Sequence, residues 1–310
     1  MGKIAYIFPG QGSQSVGMGK DLFDSYAEAR SVFEEADESL GFSLSEMCFS
    51  GTEEDLALTA NTQPAILTTS IAAYRAMEAN GYPKPDYVAG HSLGEYSALV
   101  AAGAINLADA VKTVRKRGAY MQDAVAVGVG AMAAIIGSDL STVQECCQEA
   151  AQQQICSPAN INSAKQIVIA GNAEAIDRAC EILKDRGARR AIKLNVSAPF
   201  HCALMKAAEE KLSIDLQGIT FSDLDFPIFE NVSAEENSKG ARVAEALTRQ
   251  VSSPVRWLET VQNIIGRDVD TFVEVGAGKV LSGLVRQIDR NPNCFNVEDS
   301  ESLSNTLSNL

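Results

Sequence analysis

Residues 87–102 read YVAGHSLGEYSALVAA, and this stretch indicates how the chain is organised. Tyr87 to Ala89 is typical of a short buried strand, and Leu93 to Ala102 has the composition of a helix. Between them lies the pattern G-x-S-x-G, centred on Ser92. A serine on a tight strand-to-helix turn projects its hydroxyl above the sheet, so the stretch predicts a nucleophile elbow. A glycine-rich turn without chemistry is the alternative.

The segments on either side of this stretch indicate an α/β fold. Lys3 to Phe8 is a short apolar strand, and Thr271 to Val275 is another that turns into a helix. A long helix is predicted from Pro64 to Asn80, because a proline is well placed at a helix start. Strands that alternate with helices favour a layered core around a largely parallel sheet. The polar end, Glu298 to Leu310, is expected to be a loosely held tail.

The middle of the chain has a different pattern. After the small, glycine-containing residues 125–130, strands and helices are predicted in the order βαββαβ as far as Leu194. This order is typical of a ferredoxin-like unit. We therefore predict a large hydrolase-like α/β domain made of residues 1–127 and 198–310. A ferredoxin-like small domain, residues 128–197, is inserted into it.

Composition excludes several classes of protein. The chain has 310 residues, with 26 Lys and Arg against 40 Asp and Glu, so its formal net charge is −14. Such an acidic chain is not expected to bind nucleic acid, and it has no apolar run long enough to suggest a membrane partner. Its seven cysteines form no C-x-x-C pair and no signal peptide is evident, which favours reduced thiols in the cytoplasm. No metal site is predicted.

A nucleophilic serine needs a base, and the chain has only two histidines. His91 adjoins Ser92, and neighbouring side chains on a tight turn point apart, so His91 is expected to support the elbow or line the pocket. His201, beside a proline turn, would by itself be interpreted as structural. As the remaining imidazole it is the predicted base. No carboxylate of a triad is evident, and a backbone carbonyl is an alternative partner for the imidazole.

Two further features are candidates for binding groups. Arg117 lies on a predicted helix with Arg115 and Lys116, so a solvated basic face is the simpler interpretation of this arginine. The loop that begins at Phe8 and contains Gln11 follows a strand, and its N–H groups could form part of an oxyanion hole. A simple turn is the alternative for that loop.

Six motifs follow one another along nearly the whole chain, and their joint order and spacing are more specific than any one of them. They are FPGQGSQ (8–14), NTQPA (61–65), GHSLGEYSAL (90–99), RKRGAYMQ (115–122), SAPFH (197–201) and FVEVGAGKVL (272–281). With them the sequence resembles the malonyl-CoA:acyl carrier protein transacylase family of bacterial type II fatty acid synthesis. One departure is Ala277, where many relatives have proline in the V-G-x-G turn.

The resemblance implies a fold and a set of catalytic groups. The active site is expected between the large domain and the inserted one. Ser92 is implied as the nucleophile and His201 as the base, with the carbonyl of Gln250 orienting the imidazole. The backbone N–H groups of Gln11 and Leu93 are implied to form the oxyanion hole.

The resemblance also implies how the substrate is held. Arg117 is expected to bind the free carboxylate of a malonyl group, and Gln63 and His91 are expected to line the same pocket. Phe200, beside the base, is expected to crowd a substituent on the malonyl α-carbon. The substrate is a coenzyme A thioester, and no bound cofactor or metal is implied.

The implied partners are malonyl-CoA and acyl carrier protein, and the chain is expected to be a monomer. Carrier proteins are acidic, so an acidic enzyme needs a local basic patch to dock one. Candidates for this patch are Arg189, Arg190, Lys279 and Arg286. Scattered solvated charges are the alternative interpretation of these residues.

Three other functions fit parts of the pattern. A serine thioesterase would use the same elbow but release the acid to water. A malonyltransferase that serves polyketide synthesis or malonate decarboxylation would have a similar active site. A catalytically silent binding partner on this scaffold would have no need to keep Ser92, His201 and Arg117 together.

Overall fold

The structure is a computed structural model that describes residues 2–196 and 198–310. Met1 and Ser197 lie outside the described residues. Because the predicted small domain ends at Ser197, its boundary falls on a residue that is not described, and the division into domains stays a prediction.

Secondary structure covers most of the described residues. The strands are β1 (Lys3–Phe8), β2 (Tyr87–Gly90), β3 (Gly130–Ile136), β4 (Cys156–Ser163), β5 (Gln166–Asn172), β6 (Arg190–Lys193), β7 (Ile228–Phe229), β8 (Glu236–Asn237), β9 (Val269–Val275) and β10 (Asn293–Val297). The α-helices are α1 (Lys20–Ser25), α2 (Ala27–Leu40), α3 (Leu44–Ser50), α4 (Glu53–Ala57), α5 (Thr59–Ala79), α6 (Gly94–Ala101), α7 (Leu107–Asp123), α8 (Leu140–Ala151), α9 (Ala173–Asp185), α10 (Lys206–Gln217), α11 (Gly240–Gln250), α12 (Trp257–Ile265), α13 (Val280–Ile288) and α14 (Ser300–Leu307). A short 3₁₀ helix covers Ala203–Met205.

The larger sheet has the strand order β10-β9-β1-β2-β7-β8. All neighbouring pairs are parallel except β7 with β8, so the prediction of a largely parallel sheet is confirmed. Phe8 of β1 pairs with Gly90 of β2, and Ala89 of β2 pairs with Phe229 of β7. The loops that follow these three strands therefore meet at one edge of the sheet. In open α/β sheets this carboxyl edge is where ligands bind.

The core lies on both faces of this sheet. Along β1, Tyr6 and Phe8 pack into one buried cluster, whereas Ala5 and Ile7 pack into another. This alternation follows from the two-residue period of a strand, whose successive side chains point to opposite faces. A strand that is apolar at every position is thus buried on both faces, as parallel strands usually are.

The smaller sheet has the order β4-β5-β3-β6, and its pairs are antiparallel. With α8 and α9 it follows the predicted βαββαβ order, so this part of the prediction is confirmed. Backbone hydrogen bonds tie the sheet to the chain just before α12. Ile161 N donates to Val255 O, and Val255 N donates to Ala159 O, each at 2.9 Å.

The prediction of a loosely held tail is wrong, because the end of the chain forms α14. Asp299 caps this helix by accepting from Ser302 N, and the hydroxyl of Ser302 accepts in return from the Asp299 N–H. Leu303 is buried, and Thr306 Oγ1 donates to Asn296 O at 2.8 Å. Only two positions of the helix are buried, so its sequence is too polar to give a strong apolar pattern.

The predicted start of the long helix at Pro64 is also wrong, since α5 begins at Thr59. The carbonyl of Leu58 accepts from the N–H groups of Asn61 and Thr62, which starts the helix before the proline.

No helix among the described residues is long and apolar enough to cross a membrane.

Candidate active site

Ser92 stands on the turn between β2 and α6, at the carboxyl edge of the large sheet. Its φ of 53° lies in the left-handed region, which is costly for a residue with a side chain. The glycines of the motif allow this turn. A Cβ on Gly90 would lie 1.9 Å from the backbone of Gly94, and a Cβ on Gly94 would lie 2.0 Å from Phe8 O. At Gly90 the turn packs too closely on itself for any other residue, and at Gly94 it packs too closely against the end of β1.

His201 is the imidazole that contacts Ser92. The Ser92 Oγ and His201 Nε2 atoms are 2.7 Å apart. His201 Nδ1 lies 2.8 Å from the main-chain oxygen of Gln250, which can only accept. Nδ1 therefore carries the proton, and Nε2 is left to accept from the serine hydroxyl. This geometry is the one expected of a nucleophile and its general base.

The pKa of His201 is lowered to about 3, mainly because the ring is buried and also because the Arg117 cation is close. The imidazole is therefore neutral near pH 7 and able to accept a proton. Its φ of 59° is again in the left-handed region, so both members of the pair have a strained backbone.

Arg117 is almost fully buried, at 1% exposure, so the interpretation of a solvated basic face is wrong for this residue. Its Nη1 donates to Gln63 Oε1 at 2.8 Å. Its Nη2 donates to Gln250 Oε1 at 2.8 Å and to Ser92 Oγ at 3.1 Å. Among the described residues, the buried Nε has no hydrogen-bond partner.

The guanidinium is thus a buried cation held by neutral groups. Burial lowers the pKa of Arg117, although an arginine remains charged at neutral pH. The ring of Tyr96 lies 5.6 Å from the guanidinium carbon and adds a cation–π contact. A buried cation without a directly bonded anion is costly, and an incoming carboxylate would relieve that cost.

A cavity of about 120 Å³ opens in front of Ser92, between the two sheets. Because about 10–15 Å³ is enough for one water molecule, it has room for a group of several non-hydrogen atoms. Of the residues predicted for the site, those that line this cavity are Ser92, His201, Arg117, Gln11, Gln63, His91, Leu93 and Phe200. The structure therefore brings these side chains together, while their roles stay predictions.

A second cavity of about 240 Å³ adjoins the first. The two share Gln11, His91, Asn160 and Leu194 as lining residues. The second cavity continues between the loop after β1, the strands of the small sheet and the start of α13. Together the cavities form a path that leads from Ser92 along the seam between the sheets.

His91 has a different set of contacts from His201. Its Nε2 lies 2.9 Å from Asn162 Oδ1, and its ring meets the Trp257 ring edge-on at 5.6 Å. Burial lowers its pKa, so this ring too is neutral near pH 7. Its contacts join the elbow to the small sheet and to α12, in line with the supporting role predicted for it.

Sequence reasoning missed two polar residues beside the elbow. Asn231 follows β7, and its Oδ1 accepts from Ser92 N at 2.7 Å while its Nδ2 donates to Gly90 O at 2.7 Å. Glu95, on α6, is 2% exposed, and burial raises its pKa to about 8. The signal available for Glu95 was a single carboxyl in the otherwise uncharged residues 93–102, directly after the elbow serine.

The predicted docking residues are all exposed. Arg189 precedes β6 and Arg190 begins it, at the edge of the small sheet. Lys279 pairs with Glu298 at 3.4 Å, and Arg286 on α13 donates to Cys294 O at 2.9 Å. The patch therefore stays a prediction.

Within the described residues, no group of three or more His, Cys, Asp or Glu is arranged to hold a metal, and the seven cysteines are free.

An α/β sheet with a serine on its elbow, a histidine in contact and a cavity in front is the arrangement of enzymes that transfer acyl groups through a serine. Residues 5–300 match the acyl transferase domain, and the chain belongs to that family. It is 47% identical to the malonyl CoA-acyl carrier protein transacylase of Bacillus subtilis over 311 residues, which cover 100% of this chain and 98% of the relative.

Two solved structures are similar over their whole length. The malonyl CoA-acyl carrier protein transacylase of Coxiella burnetii superposes with a TM-score of 0.98 at 40% identity, covering 100% of this chain and 98% of the other. A malonyl-transacylase in complex with a type II PKS acyl-carrier protein superposes with a TM-score of 0.97 at 44% identity. That match covers 99% of this chain and 100% of the other.

Proposed function

We propose that this enzyme moves the malonyl group of malonyl-CoA to the phosphopantetheine thiol of acyl carrier protein, and so supplies fatty acid synthesis. The observation that carries the proposal is the contact of Ser92 with both His201 and a buried, partly unsatisfied Arg117. The contact with His201 gives the serine a base for acyl transfer. The contact with Arg117 places a cation beside the serine, where it can pair with an acyl group that ends in a carboxylate.

In the first half-reaction His201 Nε2 takes the proton of Ser92 Oγ as the oxygen attacks the thioester carbonyl. A bond forms between Oγ and the carbonyl carbon, and the bond from that carbon to the sulfur of coenzyme A breaks. The proton on Nε2 then goes to the leaving thiolate. The product is a malonyl-serine ester, and the carbonyl of Gln250 keeps the imidazole in the required tautomer throughout.

The second half-reaction is the reverse with a different thiol. His201 takes the proton of the phosphopantetheine thiol as its sulfur forms a bond to the ester carbonyl carbon. The bond from that carbon to Ser92 Oγ breaks, and His201 returns the proton to Oγ. One thioester replaces another, so the exchange is close to isoenergetic and reversible. The scheme predicts ping-pong kinetics.

The tetrahedral intermediates carry a negative oxygen that needs donors. The N–H groups of Gln11 and Leu93 are proposed for this role. Both residues line the cavity at Ser92, and Leu93 stands at the amino end of α6, where a helix favours negative charge. Donors held by the backbone cost no reorganisation when the charge develops.

Arg117 is proposed to pair with the malonyl carboxylate. Its Nε is buried without a partner among the described residues, and its Nη2 contacts the nucleophile, so the edge that Nε and Nη2 form is proposed to bind a carboxylate beside Ser92. Gln63 holds Nη1 from the other side. The adjoining cavity of about 240 Å³ is proposed to take the pantetheine arm that both substrates share.

A serine thioesterase would transfer the malonyl group to water, whereas the proposed enzyme transfers it to the thiol of acyl carrier protein. With malonyl-CoA and holo acyl carrier protein together, we expect malonyl-carrier protein to form much faster than free malonate. Rapid release of malonate, equally fast with and without carrier protein, would contradict the proposal. The same assay with several carrier proteins addresses a role in polyketide synthesis, since one similar transacylase binds a type II PKS carrier. The cytoplasmic location and the monomeric state stay predictions.

Docking of the carrier protein gives a prediction. Arg190→Glu with Arg286→Glu should raise the KM for carrier protein and leave acylation by malonyl-CoA unchanged, because both side chains are exposed. The matched control is Lys84→Glu with Lys112→Glu, which changes the net charge by the same amount at exposed positions elsewhere. An unchanged KM at low salt, or an equal rise in both double variants, would eliminate this patch.

The pH dependence of acylation gives another prediction. In the free enzyme the pKa of His201 is about 3, so its base stays unprotonated as the pH falls from about 7 to about 5. kcat/KM for malonyl-CoA should therefore not decline over this range through His201. In the complex the substrate carboxylate offsets the Arg117 charge that helps to lower this pKa, so kcat should decline at a higher pH than kcat/KM. Coincident profiles that follow an ordinary histidine pKa would contradict this account.

A further inference from the structure

Glu95 is a buried carboxyl that the proposed mechanism does not use. It lies on the first turn of α6, directly behind the nucleophile elbow. Its Oε2 accepts from Gln250 Nε2 at 2.6 Å and from Asn231 N at 3.2 Å. Gln250 in turn contacts Arg117, and Asn231 in turn contacts Ser92.

Gln250 connects Glu95 to the substrate-binding arginine. Its Nε2 donates to Glu95 Oε2 and to Ser92 O, while its Oε1 accepts from Arg117 Nη2. A carboxamide has one accepting and one donating end, and a guanidinium can only donate. The amide of Gln250 can therefore serve Arg117 only while its NH₂ end faces Glu95.

Asn231 is the second connection. Its main-chain N–H is bonded to Glu95, and its side chain holds Ser92 N and Gly90 O on either side of the turn. Glu95 Oε2 is thus bonded both to Gln250, which contacts Arg117, and to Asn231, which holds the two sides of the elbow.

We propose that Glu95 is a positioning residue for malonyl selectivity, because its carboxyl fixes the direction of the Gln250 amide and so aims Arg117 at the acyl group. The inference rests on the proposed function, in which Arg117 pairs with the malonyl carboxylate. Without Glu95 the NH₂ end of Gln250 loses its shortest hydrogen bond and keeps only Ser92 O at 2.9 Å and Asn231 Oδ1 at 3.4 Å as acceptors. The amide is then held less firmly and can turn its NH₂ end toward the guanidinium. Two donors then face each other, and the guanidinium moves away from the position that pairs with the substrate.

Three substitutions of Glu95 test the position of its accepting oxygen. Because burial raises the pKa of Glu95 to about 8, its carboxyl is mostly protonated and neutral near pH 7. Glu95→Gln keeps a neutral side chain of the same length, with an oxygen that can accept from both Gln250 and Asn231. Glu95→Asp keeps a carboxyl but withdraws it by one methylene, and Glu95→Met removes the acceptor. We expect the Gln variant to keep most of the wild-type ratio of kcat/KM for malonyl-CoA over acetyl-CoA. The Asp and Met variants should lower this ratio by up to about 100-fold, as small misplacements in active sites do.

The matched control is Glu274→Gln, another buried carboxyl, which caps the start of α13 by accepting from Leu281 N and Ser282 N. It should leave the malonyl-to-acetyl ratio unchanged even if it lowers stability. Circular dichroism at the assay temperature checks that each variant is folded. If the Met variant does not fold, the Asp variant carries the test.

The outcomes distinguish this inference from the proposed function. A wild-type ratio in the folded Asp or Met variant would overturn the role of Glu95. A Gln variant as impaired as these two would also overturn it, because an accepting oxygen at the right position would then not be enough. If Arg117→Ala keeps the wild-type ratio, it is the proposed role of Arg117 that fails. If Arg117→Ala loses the ratio while the Asp and Met variants keep it, only the inference on Glu95 fails.

Discussion

His201→Ala is expected to slow acylation of Ser92 by malonyl-CoA by about 10²- to 10⁴-fold, the usual effect of losing a positioned base. The imidazole is the group that accepts the serine proton, at a distance of 2.7 Å between Oγ and Nε2. Alanine leaves no base in contact with the hydroxyl. The effect is measured as the rate of the single-turnover acylation, so that transfer to the carrier protein does not obscure it.

His91→Ala is the control for this prediction. His91 is adjacent to Ser92 in sequence, but its ring contacts Asn162 and Trp257. Its loss should be milder unless the turn itself is damaged, which thermal unfolding would reveal. If a folded His91→Ala variant acylated as slowly as His201→Ala, the assignment of the base would be unsafe.

Arg117→Ala should lower kcat/KM for malonyl-CoA by roughly 30-fold to several thousand-fold, and acetyl-CoA should gain relative to it. Losing one partner of a buried charge pair costs on the order of 2–5 kcal/mol. In the wild type, acetyl is penalised because it leaves the guanidinium buried without an anion. Arg117→Lys should recover only part of the malonyl activity, because an ammonium lacks the planar fork that holds two carboxylate oxygens.

The matched control is Arg115→Ala, two positions away on the same helix. Arg115 donates to Asn61 Oδ1 at 2.9 Å and stacks over the ring of Phe42 at 4.4 Å, so it points away from the cavity. Its loss should leave the malonyl-to-acetyl ratio unchanged. If Arg117→Ala and Arg117→Lys also kept the wild-type ratio, the malonyl carboxylate would need another partner.

Local sequence signals were enough to place the elbow and the histidine that contacts its serine. The G-x-S-x-G turn depends on contacts between residues close in sequence, such as Gly90 with Gly94, so its pattern identifies it. His201 followed by elimination, because the chain has only one histidine besides the one on the turn. The order of strands and helices likewise predicted both sheets.

The position of Arg117 along α7 could have predicted that its side chain is buried. The buried residues of that helix include Ala110, Val114, Arg117 and Met121, which recur at the three- to four-residue spacing of one face. Arg115 and Lys116 lie off this stripe. Arg117 therefore belongs to the buried face of α7, although the adjacent Arg115 and Lys116 made it look like part of a solvated basic run.

Other parts of the site have no sequence signal of their own. The group in contact with His201 Nδ1 is a main-chain oxygen, which any residue at position 250 could offer, so only the resemblance pointed to Gln250. The contacts of Glu95 with Gln250 and Asn231 join residues more than 130 positions apart. Such contacts exist only once the sheet has brought the ends of β2 and β7 together.

The central claim is that malonyl transfer passes through an ester on Ser92. The most direct test is intact-mass measurement of the enzyme mixed with malonyl-CoA, followed by peptide mapping. The account predicts one malonyl group per chain, located on Ser92, absent from Ser92→Ala, and lost when holo acyl carrier protein is added. An adduct that persists in Ser92→Ala, or rapid transfer to the carrier protein with no adduct at any time, would contradict it.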